Sequence, residues 1–339
     1  MGEGRRGAAA PPTDGTGGGA SGGGTSGGGA SGGGASGGGA SGHPLDAVFA
    51  ALARPRPHLR LSRAEAPGGA PPDGRPRLAA LCADAPALRE LLERPRRHDP
   101  RLTEKILAAS LIILASGPVS TLAAACLLGA GVVPRLGAER VVFAVGTAPS
   151  AQAREPVHLD LLDPGFDAAP GPFAAHPHAA PLPDRDALRA RMREALEGFL
   201  APLVAALHRE TGLSRAALWR LAGDAVAGEF LDVGRFLGRE DLARADALAI
   251  LKAPGAPMTN PQLRYLEVEI PDPQRPDSPL LRRSFRARGG CCLWKDLPGA
   301  SLCTTCVLRP EAEMRALVEA GLRRRLGLPA PDAAPDPAP

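Results

Sequence analysis

The sequence predicts an α+β fold, predominantly helical, with a small antiparallel sheet and a cysteine-rich segment near the C-terminal end. Three observations carry that prediction. Apolar residues recur at helical spacing through most of Asp184 to Leu251. Short β-branched or alternating runs occur at Val141 to Val145, Val157 to Leu161 and Tyr265 to Ile270. Four of the six cysteines fall in one short stretch, CCLWKDLPGASLCTTC, from Cys291 to Cys306.

The elements follow in order. Residues 1–42 are a Gly/Ser-rich repeat with nothing to bury, and read as a disordered tail. The G-x-G-x-x-G matches inside it lack a preceding strand and a following helix, so they are no dinucleotide fingerprint. The tail also lacks the apolar run of a signal peptide, which sets the expectation of a reducing cytoplasmic compartment. Leu45 to Ala53 and Leu78 to Pro95 have helical spacing, and the Pro/Gly-rich stretch between them reads as loop. Ile106 to Pro134 carries no charge and is long enough to cross a membrane. Gly117-Pro118 interrupts it, and no aromatic belt flanks it, which favours a pair of buried helices in a soluble protein.

Val141 to Val145 and Val157 to Leu161 read as an antiparallel pair, and Pro164 to Pro183 as a loop. That loop holds His176-Pro-His178, which reads as loop chemistry because no third ligand is near in sequence. Asp184 is placed as an N-cap and Gly212 as the C′ residue of one helix; Ser214 caps the next. His208 and Trp219 on these helices read as packing residues. Cys82 and Cys126 sit among apolar neighbours and read as small buried hydrophobes. Residues 311–328 read as a last helix and 329–339 as a second disordered tail. The folded part then divides into a body, 43–288, and a cysteine segment, 289–310.

Charge is nearly balanced, with 40 Lys+Arg against 36 Asp+Glu, and nothing suggests nucleic-acid binding. The cysteines remain as the chemistry-bearing feature. Without an oxidising compartment, clustered cysteines point to a metal or to redox chemistry. Zinc prefers two C-x2–4-C hooks; here there is one, Cys303-Thr-Thr-Cys306, opposite the vicinal pair Cys291-Cys292. Adjacent side chains diverge in an extended chain, and Gly289-Gly290 would permit the distortion needed to bring both to one ion. A 2Fe–2S rhomb instead asks for two thiolates on each of two irons, which four cysteines supply. Both metals stay open on this ground, and the pairing of cysteines with irons is not readable.

The run Cys291-Cys292-Leu-Trp-Lys-Asp-Leu-Pro-Gly, then Cys303-x-x-Cys306, resembles the C-terminal signature of the FhuF-like ferric-siderophore reductases. Ala201 to Gly228 is similar to that family's helical region, and Gly117 to Pro134 to an apolar segment these proteins carry. The resemblance implies a 2Fe–2S cluster on Cys291, Cys292, Cys303 and Cys306, and one-electron reduction of a ferric siderophore. It also implies an external electron donor, ferredoxin-like or an NAD(P)H-dependent reductase, since no nicotinamide or flavin fingerprint is present. An iron–sulfur electron carrier or redox sensor, or a zinc-stabilised interaction module, would carry the same cysteines. Arg282, Arg283, Arg286 and Arg288 precede the cluster and are expected to dock an anionic chelate or an acidic donor. Trp294 and Lys295, between the ligands, depart from the family's pattern and are expected to tune substrate or partner.

Overall fold

The computed structural model describes residues 42–147, 154–272, 275 and 279–329. Most of both predicted tails lies outside the described residues. The fold is α+β. Helix α1, Pro44–Ala53, is followed by β1, Leu59–Arg63. Helices α2, Leu78–Ala83, and α3, Ala85–Glu93, lead to α4, Glu104–Ala125. Five short strands follow: β2 Val132–Pro134, β3 Val141–Val145, β4 Val157–Leu161, β5 Phe166–Ala168 and β6 Ala179–Pro181. Three helices come next: α5 Arg185–Thr211, α6 Arg215–Phe236 and α7 Glu240–Leu251. The hairpin β7, Arg264–Pro271, and β8, Pro279–Ala287, then leads through the cysteine segment to α8, Glu311–Arg325.

The strands form three small sheets. β4 is central in the first, antiparallel to β3 as predicted, with Val141 opposite Leu161, and parallel to β1. β5 is central in the second, antiparallel to β2 and parallel to β6. β7 and β8 pair antiparallel. The core lies where α4, α5 and α6 meet, and it includes fully buried Phe143, Phe166, Phe199 and Phe230. Each such ring contributes about 2–3 kcal/mol relative to exposure. Cys82 and Cys126 are buried in that core.

Helix ends behave as their residues dictate. The side chains of Asp184 and Ser214 accept from the backbone N–H of Ala187 and Ala217, and Gly212 takes the left-handed conformation at φ 67. Each such N-cap is worth about 1 kcal/mol.

Several expectations are corrected. The stretch Leu78 to Pro95 is two helices, because Asp84 leaves helical geometry and recaps the chain on Ala87 N–H, with Pro86 entering the first turn. β1 lies in the stretch expected to be loop; its Leu59 and Leu61 alternate with polar residues, a weak signal masked by the flanking prolines. β5 and β6 lie inside the expected Pro164 to Pro183 loop. The apolar run is one helix through Pro118 rather than two, ending in a π-helical turn at Cys126–Ala130. Pro118 removes one backbone donor, and packing on α6 holds the helix together. Residues Glu104–Ala130 are long and apolar enough to cross a membrane, with mean hydropathy 2.1, yet 78% of the apolar window is buried inside the protein, the behaviour of a core helix.

Candidate metal centre

The cysteine segment is seated by the end of β8 on one face of α6. Gly289 and Gly290 come first, and both press against neighbours. A Cβ on Gly290 would stand 3.1 Å from the backbone of Arg220 and Leu221, and one on Gly289 would collide with Asn260. The glycines therefore serve close approach. Their N–H groups donate to the two carboxylate oxygens of Asp224, at 2.8 and 3.0 Å. Asp224 is only 4% exposed, on the buried side of α6 beside Leu221, Ala222 and Ala225. Burial pushes its carboxyl up, opposed by the Arg286 charge and the two glycine amides.

The distortion that the vicinal pair needs comes after it. Leu293 is left-handed, at φ 65 and ψ 0, unusual for a branched side chain. The reversal brings the Leu293 N–H to the Cys291 sulfur and the Trp294 N–H to the Cys292 sulfur. The hook Cys303-Thr-Thr-Cys306 closes by Cys306 N donating to Cys303 O at 3.2 Å. Arg309 braces it, donating to Cys303 O at 2.8 Å and Leu302 O at 3.0 Å. Arg288 N donates to Thr305 O at 3.1 Å, tying the hook to β8.

These constraints bring Cys292 Sγ and Cys303 Sγ to 3.7 Å. Two thiolates on one tetrahedral ion at about 2.3 Å stand about 3.8 Å apart, so the spacing fits one shared metal. Arg288 Nη1 lies 3.8 Å from Cys303 Sγ. Cys292 and Cys306 are buried; Cys291 and Cys303 are partly open to solvent. The hydrogen bond with Cys303 holds the Cys292 thiol down at about 5, against its burial and with help from Trp294 N–H and the Arg288 charge. The partner Cys303 is pushed up by the same bond and by burial. One proton thus leaves this pair readily and the second does not. Burial raises Cys82 to about 12 and Cys126 also, so neither thiol is poised for ligation or reaction. All six cysteines are free. Among the described residues no point is ringed by three or more His, Cys, Asp or Glu donors.

The expected arginine cluster is dispersed. Arg282 is exposed and ion-paired with Glu269 and Glu267. Arg283 lines a pocket beside α7. Arg286 turns inward to Asp224 O at 2.6 Å, over Gly228. Only Arg288 reaches a sulfur. Trp294 opens a single 3-10 turn and packs partly on the core, while Lys295 is exposed and pairs with Asp296. His208 and Trp219 are partly buried helix residues; His208 Nδ1 meets Leu213 O at 2.9 Å.

The pair His176-Pro-His178 has a third neighbour after all. His43 stands 5.1 and 5.7 Å from the two rings, by centroids, and His43 and His176 both meet the Phe166 ring. His43 is engaged at both nitrogens, by Pro164 O and by Leu45 N–H, so the trio is a packed hydrogen-bonded cluster.

Sequence reasoning missed Asp224, Leu293 and Arg309. Asp224 alone left a trace: a carboxylate among the apolar positions of a helix asks for buried donors. Leu293 and Arg309 left none.

Residues 152–269 match the family model described as "Ferric iron reductase FhuF-like transporter", the family that the cysteine motif resembles. The matched segment contains Asp224 and Asn260 and ends before Cys291. No curated protein matches the chain.

Proposed function

We propose that this protein delivers one electron to a ferric siderophore from a 2Fe–2S cluster held by Cys291, Cys292, Cys303 and Cys306, so that iron leaves the chelate as Fe²⁺. The observation that carries the reading is the 3.7 Å approach of the Cys292 and Cys303 sulfurs, one from each half of the motif. Four soft donors suit iron–sulfur ligation, and a rhomb asks for two thiolates per iron rather than three or four donors round one ion. The family match to a ferric iron reductase supports the activity. When bound, such a cluster supplies a one-electron donor of tunable potential.

The chain's own residues do the rest. Asp224, Leu293 and Arg309 fix the two halves of the motif in place. The backbone N–H groups of Leu293 and Trp294, with the Arg288 guanidinium, stabilise negative charge on sulfur, which raises a cluster's potential. The partly open Cys291 and Cys303 leave the ferric chelate a way to approach the thiols. The electron balance is Fe³⁺ chelate plus one electron to Fe²⁺ and free chelate. Hard siderophore oxygens hold the larger, less charged Fe²⁺ weakly, so reduction releases it. The electron comes from a ferredoxin-like protein or an NAD(P)H-dependent reductase, the donors that suit a sequence showing no nicotinamide or flavin fingerprint. The expected compartment is the cytoplasm.

The test has two stages. The purified protein should absorb in the visible, with iron and sulfide in a 1:1 ratio. Colourless protein with stoichiometric zinc would instead establish the structural-zinc reading. Reduced protein mixed with hydroxamate or catecholate ferric chelates should then reoxidise faster than the background. A cluster that no chelate reoxidises marks an electron carrier or sensor.

A further inference from the structure

Away from the cysteines, the first turn of α7 and the outer part of β8 enclose an open pocket of about 540 Å³. Four arginines line it, Arg235, Arg239, Arg282 and Arg283, with Glu240 and Asp241. Most of these charges are already answered. Arg235 pairs with Asp232 and Glu240. Glu240 is spent on Arg235 and on Ser284 N–H. Arg282 has Glu267 and Glu269, and the exposed Asp241 lies beside Arg244.

Two charges are left over. Arg239 donates to a backbone carbonyl, Leu128 O, which does not neutralise it. Arg283 is half-buried, has no ion pair among the described residues, and its Nε is buried without an acceptor. Burial pushes Arg283 down, Arg235 and Arg325 add to it, and Glu240 and Asp232 oppose it. An arginine with no ion pair among the described residues, on the wall of an open pocket, asks for an external anion.

We infer that this pocket is a binding site for an oxyanion, a carboxylate or phosphate group accepted by Arg283 with Arg239 contributing charge. It is separate from the cysteine centre. Asp224 seats the cysteine segment and Arg235 lines the pocket, eleven residues apart on α6, or about 16 Å at 1.5 Å per residue. The site therefore stands whether or not the cysteines hold iron.

The test is calorimetric titration and thermal melting of the full-length protein at low ionic strength, where exposed charge is least screened. The probes are pyrophosphate and citrate. The expected result is that at least one binds below 1 mM and raises the melting temperature; which one does so assigns phosphate or carboxylate chemistry. Arg283→Gln should weaken that binding roughly tenfold or more, the scale of one charge-assisted contact. Without ligand the variant should melt no lower than the parent, because a half-buried charge has gone. Arg283→Lys, which keeps the charge and loses the fork, should bind with intermediate affinity. Failure of both probes to bind the parent protein, or equal binding by parent and Arg283→Gln, overturns the inference.

Discussion

Asp224→Asn tests the seat of the cysteine segment most directly. The wild-type carboxylate accepts from Gly289 N–H and Gly290 N–H at 2.8 and 3.0 Å in a buried site. An asparagine offers one acceptor oxygen, and turns an NH2 group toward the second glycine donor. One charge-assisted bond is lost and one buried N–H is left facing another donor. At about 1.5–3 kcal/mol for a bond to a charged group, and about 1–3 for an unsatisfied donor, the gross cost is about 2.5–6 kcal/mol. Relief of a buried charge offsets part of it, so about 2–4 kcal/mol remains. The cost falls on docking of the segment, so it should appear as local opening. In metal-free protein the alkylation rate of buried Cys292 should rise roughly 30- to 1,000-fold, following that free energy. Cys82 and Cys126, in the main core, report global opening and should change far less. Peptide mass spectrometry after iodoacetamide pulses reads all three sites. A Cys292 rate within threefold of wild type, with iron content unchanged in the reconstituted protein, would refute the seat.

Three further outcomes are expected. Gly290→Ala places a Cβ 3.1 Å from α6 backbone that cannot move aside, so it should destabilise docking by about 1–3 kcal/mol, read by the same alkylation assay. Cys303→Ser should abolish visible absorption after reconstitution, and full retention of colour would count against four-cysteine ligation. Asp232 is raised to about 6, first by burial and then by Glu229, against the Arg235 and Arg56 charges. Its unfolded value is about 3.9, so the folded state holds the proton more tightly and stability falls as pH rises from about 4 to 6. The full penalty above pH 6 is about 3 kcal/mol, and urea unfolding of Asp232→Asn should lack that decline.

What could be read from the sequence follows from how local each cause is. Caps at Asp184 and Ser214, the left-handed Gly212 and the pairing of Val141 to Val145 with Val157 to Leu161 depend on neighbouring residues, and all appear in the structure. The parallel pairing of β1 on β4 joins Leu59 to Val157, and nothing local encodes it. Pro118 misled because its cost is counted in isolation, whereas packing on α6 repays the lost bond. The His43 neighbour of His176 was invisible for the same reason: their separation in sequence is long and their meeting is tertiary. In the site, the cysteine spacing singled out four thiols, of which the structure brings Cys292 and Cys303 to 3.7 Å. The arginine run does not converge on the cysteines, because tertiary partners, not spacing along β8, decide where each side chain ends: Arg283 and Arg282 line the pocket beside α7 and Arg288 alone of the four is placed at a sulfur. Arg286 turns in to α6, while Arg282 meets the carboxylates of β7.

The family match and the cysteines occupy different parts of the chain, yet α6 joins them. The matched residues, 152–269, contain Asp224, which holds the segment, and Arg220 and Leu221, whose backbone excludes any side chain at position 290. They also contain Gly228, which leaves room for Arg286 against the Asp224 carbonyl. Thus the body supplies an acceptor and a shaped surface, and the segment supplies donors and thiols; neither half has a reason for its residues without the other. A buried carboxylate is costly unless paired, and Gly289-Gly290 costs conformational entropy unless close approach requires it. Each cost is met only when β8 delivers the cysteines to this face of α6. A cysteine segment carried on a body lacking that carboxylate should therefore hold its thiols loosely, whichever metal they bind.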